Sequence, residues 1–248
     1  MISPVAAVLG LVIGSFLNVV IHRVPRRRSV VWQASSCPKC GEPIAPRDNI
    51  PLVSYLLLRG RCRKCGAPIP MRYPLIEALT ALLFGAAGYK FGVSIQLISA
   101  LVLIAALISL AAIDLEHGLL PNAIVGPCAA VGFVLSVIRD PADWWIYLIS
   151  VLAIGGGLLA LALAYPAGMG MGDVKMGGML GAFLGPYGAL AVFLGALSGT
   201  LVGGLLLALG KMRRRSALPF GVFMAFGGLV SLFEGPELFA LYLRLVGV

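Results

Sequence analysis

Residues 95–113 read IQLISALVLIAALISLAAI, nineteen residues without a charge, and the next residue is Asp114. A helix needs about 20 apolar residues to cross the hydrocarbon of a bilayer, and this run supplies them. It shows no strict alternation, so it does not read as a strand of a membrane barrel. Comparable runs lie near 2–21, 74–89, 119–138, 144–165, 174–185, 187–210 and 218–233. Backbone groups left unpaired in lipid are costly, which leaves helices as the spanning element. The expected fold is all-α: a polytopic membrane bundle of about eight transmembrane helices. The run at 174–185 is short and reads as half-buried or re-entrant.

Composition agrees. The 248-residue chain has a mean hydropathy of +0.99 and 12% charged residues, against about 25% in soluble domains. A net charge of +9 raises the question of nucleic acid, but 11 of the 19 Lys and Arg lie between Arg23 and Arg72. That clustering reads as a topogenic signal, so lipid is the expected surroundings and no nucleic-acid partner is expected. The first apolar run has no basic residue before it, unlike a cleavable signal peptide.

If the basic 22–73 segment is cytoplasmic, the N-terminus faces out. The segments 114–118, 166–173 and 211–217 then share the cytoplasmic side. Sixteen basic residues fall inside, including Lys175, Lys211, Arg213, Arg214 and Arg215, against Lys90, Arg139 and Arg244 outside. The expected organisation is a first helix over 1–21, a cytoplasmic four-cysteine loop over 22–73 and a membrane core over 74–248. Within that core Gly195, Gly199 and Gly203 recur every four residues on one helix face, as an internal packing seam or a dimer face.

Three carboxylates stand out. Asp140 and Asp143 flank a short turn, and Glu234 and Glu237 follow the last apolar run. Asp114 instead ends one apolar run, with Glu116 close behind, and Asp173 opens the short run after Gly168-Met169-Gly170-Met171-Gly172. Charge at a membrane border is costly unless paired or hydrated, which makes it a functional candidate. The expected topology puts Asp114 and Asp173 on one side at similar depth. Two adjacent carboxyls share a proton, so one takes a proton from water while the other protonates a carbonyl oxygen or leaving nitrogen. The plain alternative is that Asp173 caps a helix and Asp114 meets interfacial water. Gly170 and Gly172 suit a tight turn and the approach of an extended substrate.

Cys37-Pro38-Lys39-Cys40 and Cys62-Arg63-Lys64-Cys65 form two C-x-x-C knuckles separated by 21 residues, each followed by glycine. That spacing matches a four-thiolate zinc ribbon with a structural metal, and a cytoplasmic loop disfavours disulfides. Cys128 lies alone in an apolar run and reads as packing. His22 and His117 are lone histidines at membrane borders and complete no metal site.

With these residues the chain resembles the bacterial type IV prepilin peptidases, the bifunctional leader peptidase and N-methyltransferase family. The matching stretches are Gly14–Asn18 with Arg23-Val24-Pro25, both knuckles, Asn49-Ile50-Pro51, Leu58-Arg59-Gly60, and Arg72-Tyr73-Pro74 with Glu77. Asp114–His117 leading to Leu120-Pro121-Asn122, and Gly170–Lys175, complete them. The resemblance implies a bacterial inner-membrane enzyme with its active site facing the cytoplasm. Its substrates would be type IV prepilins or type II secretion pseudopilins, cut after a glycine. The new N-terminus would then be methylated from S-adenosylmethionine. It assigns the catalytic aspartates to Asp114 and Asp173. Asn122 departs from the Asp that many relatives carry, which leaves the catalytic place at Asp114 filled. Asn18, Gly60, Arg72 and Glu77 are the candidates for methyl transfer. A peptidase without methyl transfer, a non-catalytic zinc-ribbon assembly factor and a proton-relay transporter are the competing readings; a homodimer is compatible with all of them.

Overall fold

The computed structural model describes residues 2–32, 35–166, 168–211 and 218–246, so Arg213, Arg214 and Arg215 lie outside the described residues. The α-helices among them are α1 (Ile2–Arg23), α2 (Val53–Leu57), α3 (Arg72–Phe91), α4 (Ile95–His117), α5 (Asn122–Arg139), α6 (Trp144–Ala164), α7 (Met171–Leu184), α8 (Tyr187–Ala208) and α9 (Phe220–Val246). Extended pairing among the described residues is confined to isolated bridges, Ser36 with Pro43 and Arg61 with Pro68.

Every expected apolar run carries a helix. Six of them, α1, α4, α5, α6, α8 and α9, are long and apolar enough to cross a membrane. Helix α3 dilutes its apolar residues with Arg72, Glu77, Thr80 and Lys90. Helix α7 has 14 residues and so extends only about 21 Å, short of a hydrocarbon core of about 30 Å. The last helix departs from expectation. It continues past 233 to Val246 with Pro236 inside it, so Glu234 and Glu237 are helical rather than trailing. Proline removes one backbone donor, but the strong helix formers after it resume the helix. An edge-on contact between Phe239 and Tyr187, with ring centroids 6.1 Å apart, holds the extension against α8.

The chain divides into two compact units, residues 1–97 and 98–248. In the first, α1 and α3 pack along a seam of small residues. A Cβ on Gly10 would stand 2.7 Å from the Ala81 Cα, one on Gly14 would stand 2.8 Å from the Glu77 Cα, and one on Gly88 would stand 2.9 Å from the Ala6 Cβ. Rising numbers on α1 meet falling numbers on α3, so the helices run antiparallel with their backbones nearly touching. The segment between them carries both knuckles and α2.

In the second unit α7 is central and packs against α5, α6, α8 and α9. Met176, Met179, Leu180 and Phe183 from α7 join Leu103, Leu107 and Leu110 from α4 in one core. The neighbours of α7 satisfy what so short a helix cannot satisfy alone in lipid: Ser136 of α5, for instance, donates to the Ala182 carbonyl at 2.9 Å. The Gly195, Gly199 and Gly203 face is an internal seam. Cβ atoms there would meet the Met224 backbone at 3.0 Å, the Phe223 ring at 3.3 Å and Leu218 at 2.7 Å. Cys128 packs, partly buried, against the core as expected.

Candidate active site

Asp114 sits in the last turn of α4 and is 6% exposed. The first turn of α9 brings the backbone N–H groups of Val222 and Gly221 to its carboxylate. Among the described residues its Oδ2 is buried without a hydrogen-bond partner, an acceptor left for a water or substrate donor. The helix ends just beyond it, where Gly118 donates to the Asp114 carbonyl at 2.8 Å and turns with φ +62.

Asp173 lies in the first turn of α7, and the anticipated cap is present. Its Oδ2 accepts the Gly170 N–H at 3.2 Å, while its own N–H donates to the Gly170 carbonyl at 3.1 Å. The capping bond engages one carboxylate oxygen, so capping and chemistry are compatible on one side chain. The tight turn expected of Gly170 is not found: its backbone is extended, φ −81 and ψ 149, which any residue adopts. Gly172 is a close approach, because a Cβ there would stand 3.0 Å from the Leu120 Cβ.

Leu120 shows how the elements converge. It meets Gly172 at the start of α7 and, through Cδ2, the Cβ position of Gly221 at 2.9 Å at the start of α9. The α4–α5 turn and two helix N-termini therefore gather around Asp114. The two carboxylates lie within electrostatic range of each other. Lys175 donates to Asn122 Oδ1 at 2.9 Å, tying α7 to the first residue of α5. Glu116 is exposed. Sequence reasoning singled out Leu120 within Leu120-Pro121-Asn122 but missed Gly221 and Val222, because nothing local marks a glycine 107 residues away as the neighbour of Asp114.

In the first unit the two knuckles fold alike. Cys37 donates to the Glu42 carbonyl and receives Gly41, and Cys62 donates to the Ala67 carbonyl and receives Gly66, all at 2.8–2.9 Å. Gly41 and Gly66 take φ +73 and +69, the left-handed turn expected of them. All four Sγ atoms lie within 4.8 Å of one another, and Cys37 and Cys65 are 3.9 Å apart. Tetrahedral thiolates on zinc stand about 3.8 Å apart at Zn–S bonds of about 2.3 Å, so the donor set fits that ion. Backbone N–H groups of Cys40 and Lys39 lower the Cys37 thiol, whereas desolvation and the neighbouring Cys37 raise the Cys40 thiol, so Cys37 is the sulfur that ionises first. Arg63 of the second knuckle grips Asp48 through both Nε and Nη2, at 2.7–3.1 Å, and holds its carboxyl below the usual range.

A cavity of about 1010 Å³ lies in this unit, with Cys37 and Cys62 in its wall. Asn18 and Glu77 line it, whereas Gly60 and Arg72 stand outside the lining. Gly60 instead shapes the approach to Cys62: its φ is +66, and a Cβ there would stand 2.9 Å from Tyr55 Oη. Arg72 opens α3 and lies over the Tyr73 ring, 5.2 Å from its centroid. Ser15, Leu52 and Tyr55 also line the cavity; of these only Ser15 lay in a stretch the sequence singled out, Gly14–Asn18.

Comparison with known proteins covers both units. The Bacterial Peptidase A24 N-terminal domain matches residues 8–91, and the Type IV leader peptidase family matches residues 101–207. The prepilin leader peptidase/N-methyltransferase of Myxococcus xanthus strain DK1622 is 43% identical over 219 residues, which cover 84% of this chain and 64% of that protein. The protein of the same name from Pseudomonas aeruginosa strain PAO1 is 34% identical over 278 residues, 96% of this chain and 92% of its own. That of Bacillus subtilis strain 168 is 34% identical over 245 residues, 96% of each. No solved structure matches the chain. One family domain falls within each unit and the likeness runs nearly end to end, so the chain belongs to the type IV leader peptidase family.

Proposed function

We propose that this chain is a bifunctional prepilin peptidase of a bacterial inner membrane, with its active site at the cytoplasmic face. It removes the leader of type IV prepilins or type II secretion pseudopilins after a glycine, then N-methylates the new terminus. The observation that carries this reading is the gathering of Asp114 and Asp173 at helix ends in one unit, within electrostatic range. The relatives' name, prepilin leader peptidase/N-methyltransferase, supports both activities.

Asp114 and Asp173 act as a proton-sharing pair. The ionised member takes a proton from water, whose oxygen attacks the scissile carbonyl carbon. The protonated member gives its proton to the carbonyl oxygen; as the C–N bond breaks, the member that took the water's proton passes it to the leaving nitrogen, and the other recovers a proton from the diol hydroxyl. The unpartnered Asp114 Oδ2 supports a role in holding that water. Gly172 and Gly221 let Leu120 and the start of α9 pack tightly beside Asp114, which fixes the position of its carboxylate.

The first unit carries the methyl transfer. S-adenosylmethionine supplies an electrophilic methyl carbon, and the cavity bordered by Asn18 and Glu77 offers the space and buried acceptors for such a ligand. Cys37, Cys40, Cys62 and Cys65 would hold a zinc ion that braces both knuckles and, through Cys37 and Cys62, the cavity wall. The test is a mass spectrum of a pilin precursor incubated with the membrane-embedded protein and S-adenosylmethionine. Loss of the leader and gain of one methyl group are expected. An intact precursor would refute the peptidase reading, and a trimmed but unmethylated product would reduce the chain to a peptidase.

A further inference from the structure

The cavity of the first unit has a specific polar feature on its wall. Asn18 is 2% exposed, and its Nδ2 donates to two carbonyls, Gly14 at 3.3 Å and Tyr73 at 3.1 Å. Carbonyls cannot donate, so those bonds fix the orientation of the amide. Among the described residues its Oδ1 is then a buried acceptor with no donor. Protein interiors rarely leave such an oxygen unpaired unless something else supplies the donor.

Glu77 belongs to the same seam. It is 7% exposed and accepts the Leu52 N–H at 2.8 Å on Oε2, and the Ser15 hydroxyl also donates to the carboxylate. Leu52 holds that N–H in place with φ 59, a conformation rare for a branched side chain, which persists only where the surroundings demand it. Asn18 follows Gly14 by one turn on α1, and Glu77 follows Tyr73 by one turn on α3. Gly14 faces Glu77 and Asn18 reaches Tyr73, so the two acceptors stand about one helical turn apart on facing helices.

A carboxylate and an unpaired amide oxygen on one cavity wall, about a helical turn apart, ask for a ligand rich in N–H donors and positively charged. A primary ammonium has three donors and a full charge, and charge-assisted bonds to it are the strong kind. Further along the wall Arg23, Arg26 and Arg28 present the opposite sign, which suits a ligand whose ammonium neighbours an anionic group.

We propose that Asn18 and Glu77 form a subsite that receives a primary ammonium group. This rests on the reading that the first unit performs methyl transfer, and that chemistry offers two such groups. One is the N-terminus freed by leader removal; the other is the amino group on the methionine end of the methyl donor. Both present the same donors to the same acceptors.

Binding measured by calorimetry on the full-length protein in lipid nanodiscs separates the cases. The probes are S-adenosylhomocysteine, its counterpart lacking the amino group, an apolar peptide with a free N-terminal phenylalanine, and the same peptide N-acetylated. The unsubstituted protein should prefer the amine-bearing member of one pair at least tenfold, and that pair identifies the source. Glu77→Gln keeps shape and an acceptor for Leu52 but removes the charge, so it should erase that preference while leaving affinity for the amine-free counterpart unchanged. Asn18→Leu should reduce the preference too, with thermal unfolding by circular dichroism confirming that the variant folds. Equal affinity within both pairs, or a Glu77→Gln variant that keeps the preference, overturns the subsite while leaving methyl transfer intact. Binding of neither S-adenosylhomocysteine nor the free-amine peptide sinks the methyl-transfer reading and the subsite with it.

Discussion

Asp114 Oδ2 lies 2.9 Å from the point that a Cβ on Gly221 would occupy, so the first turn of α9 closes directly over the carboxylate. A single methyl group there must push the carboxylate or the helix aside. Gly221→Ala should therefore lower leader cleavage by about 100-fold, the scale of a misplacement of about 1 Å at a reacting group. Helicity by circular dichroism should be retained. Gly126→Ala is the control, since a Cβ at that position meets nothing within 4 Å. Equal cleavage by the two variants would show that the close approach is irrelevant to the chemistry.

The cap on α7 can be separated from the chemistry of Asp173. Asn at this position still offers an oxygen to the Gly170 N–H, so Asp173→Asn preserves the helix start but cannot titrate. Asp173→Asn and Asp114→Asn should each cut the cleavage rate by at least about 100-fold, and the double variant should be hardly worse than either. Glu116→Gln should be mild. Substantial cleavage by Asp173→Asn would demote Asp173 to a capping residue.

Elemental analysis of protein purified under reducing conditions should find about one zinc per chain. Cys→Ser at 37, 40, 62 or 65 should lower that content and loosen the loop to proteolysis, because metal binding and local folding are coupled. Cys128→Ala should leave it unchanged. A metal-free full-length protein would defeat the assignment.

Gly60 tests whether the two activities separate. Valine at φ +66 carries roughly 1–2 kcal/mol of backbone strain and would also press on Tyr55, upsetting the turn into Cys62. Gly60→Val should trim a precursor normally and leave it unmethylated in the presence of labelled S-adenosylmethionine. Asp173→Asn should methylate a pilin that has already been trimmed. Loss of both activities together in each variant would require a single shared site.

The all-helical membrane architecture, both knuckles and the two aspartates were legible along the chain, because each is a local signal. An apolar run of bilayer length needs no tertiary partner to be recognised, and C-x-x-C-G carries its own turn geometry. Helix ends were less legible. The apolar run ends near 233, yet α9 continues through Pro236 to Val246, since aromatic packing against α8 and good helix formers outweigh one missing donor.

The cavity wall and the surroundings of Asp114 belong to the tertiary structure alone. Asn18 and Glu77 are 59 positions apart, as are Asp114 and Asp173, and no spacing rule connects either pair. Glycine seams bring α1 against α3, while Leu120 meets the starts of both α7 and α9. By itself the sequence determined which apolar segments form helices, where charge stands at their ends and which cysteines can gather around a metal. Which acceptor is left without a donor was decided by packing, because an unpaired oxygen is defined only by what surrounds it.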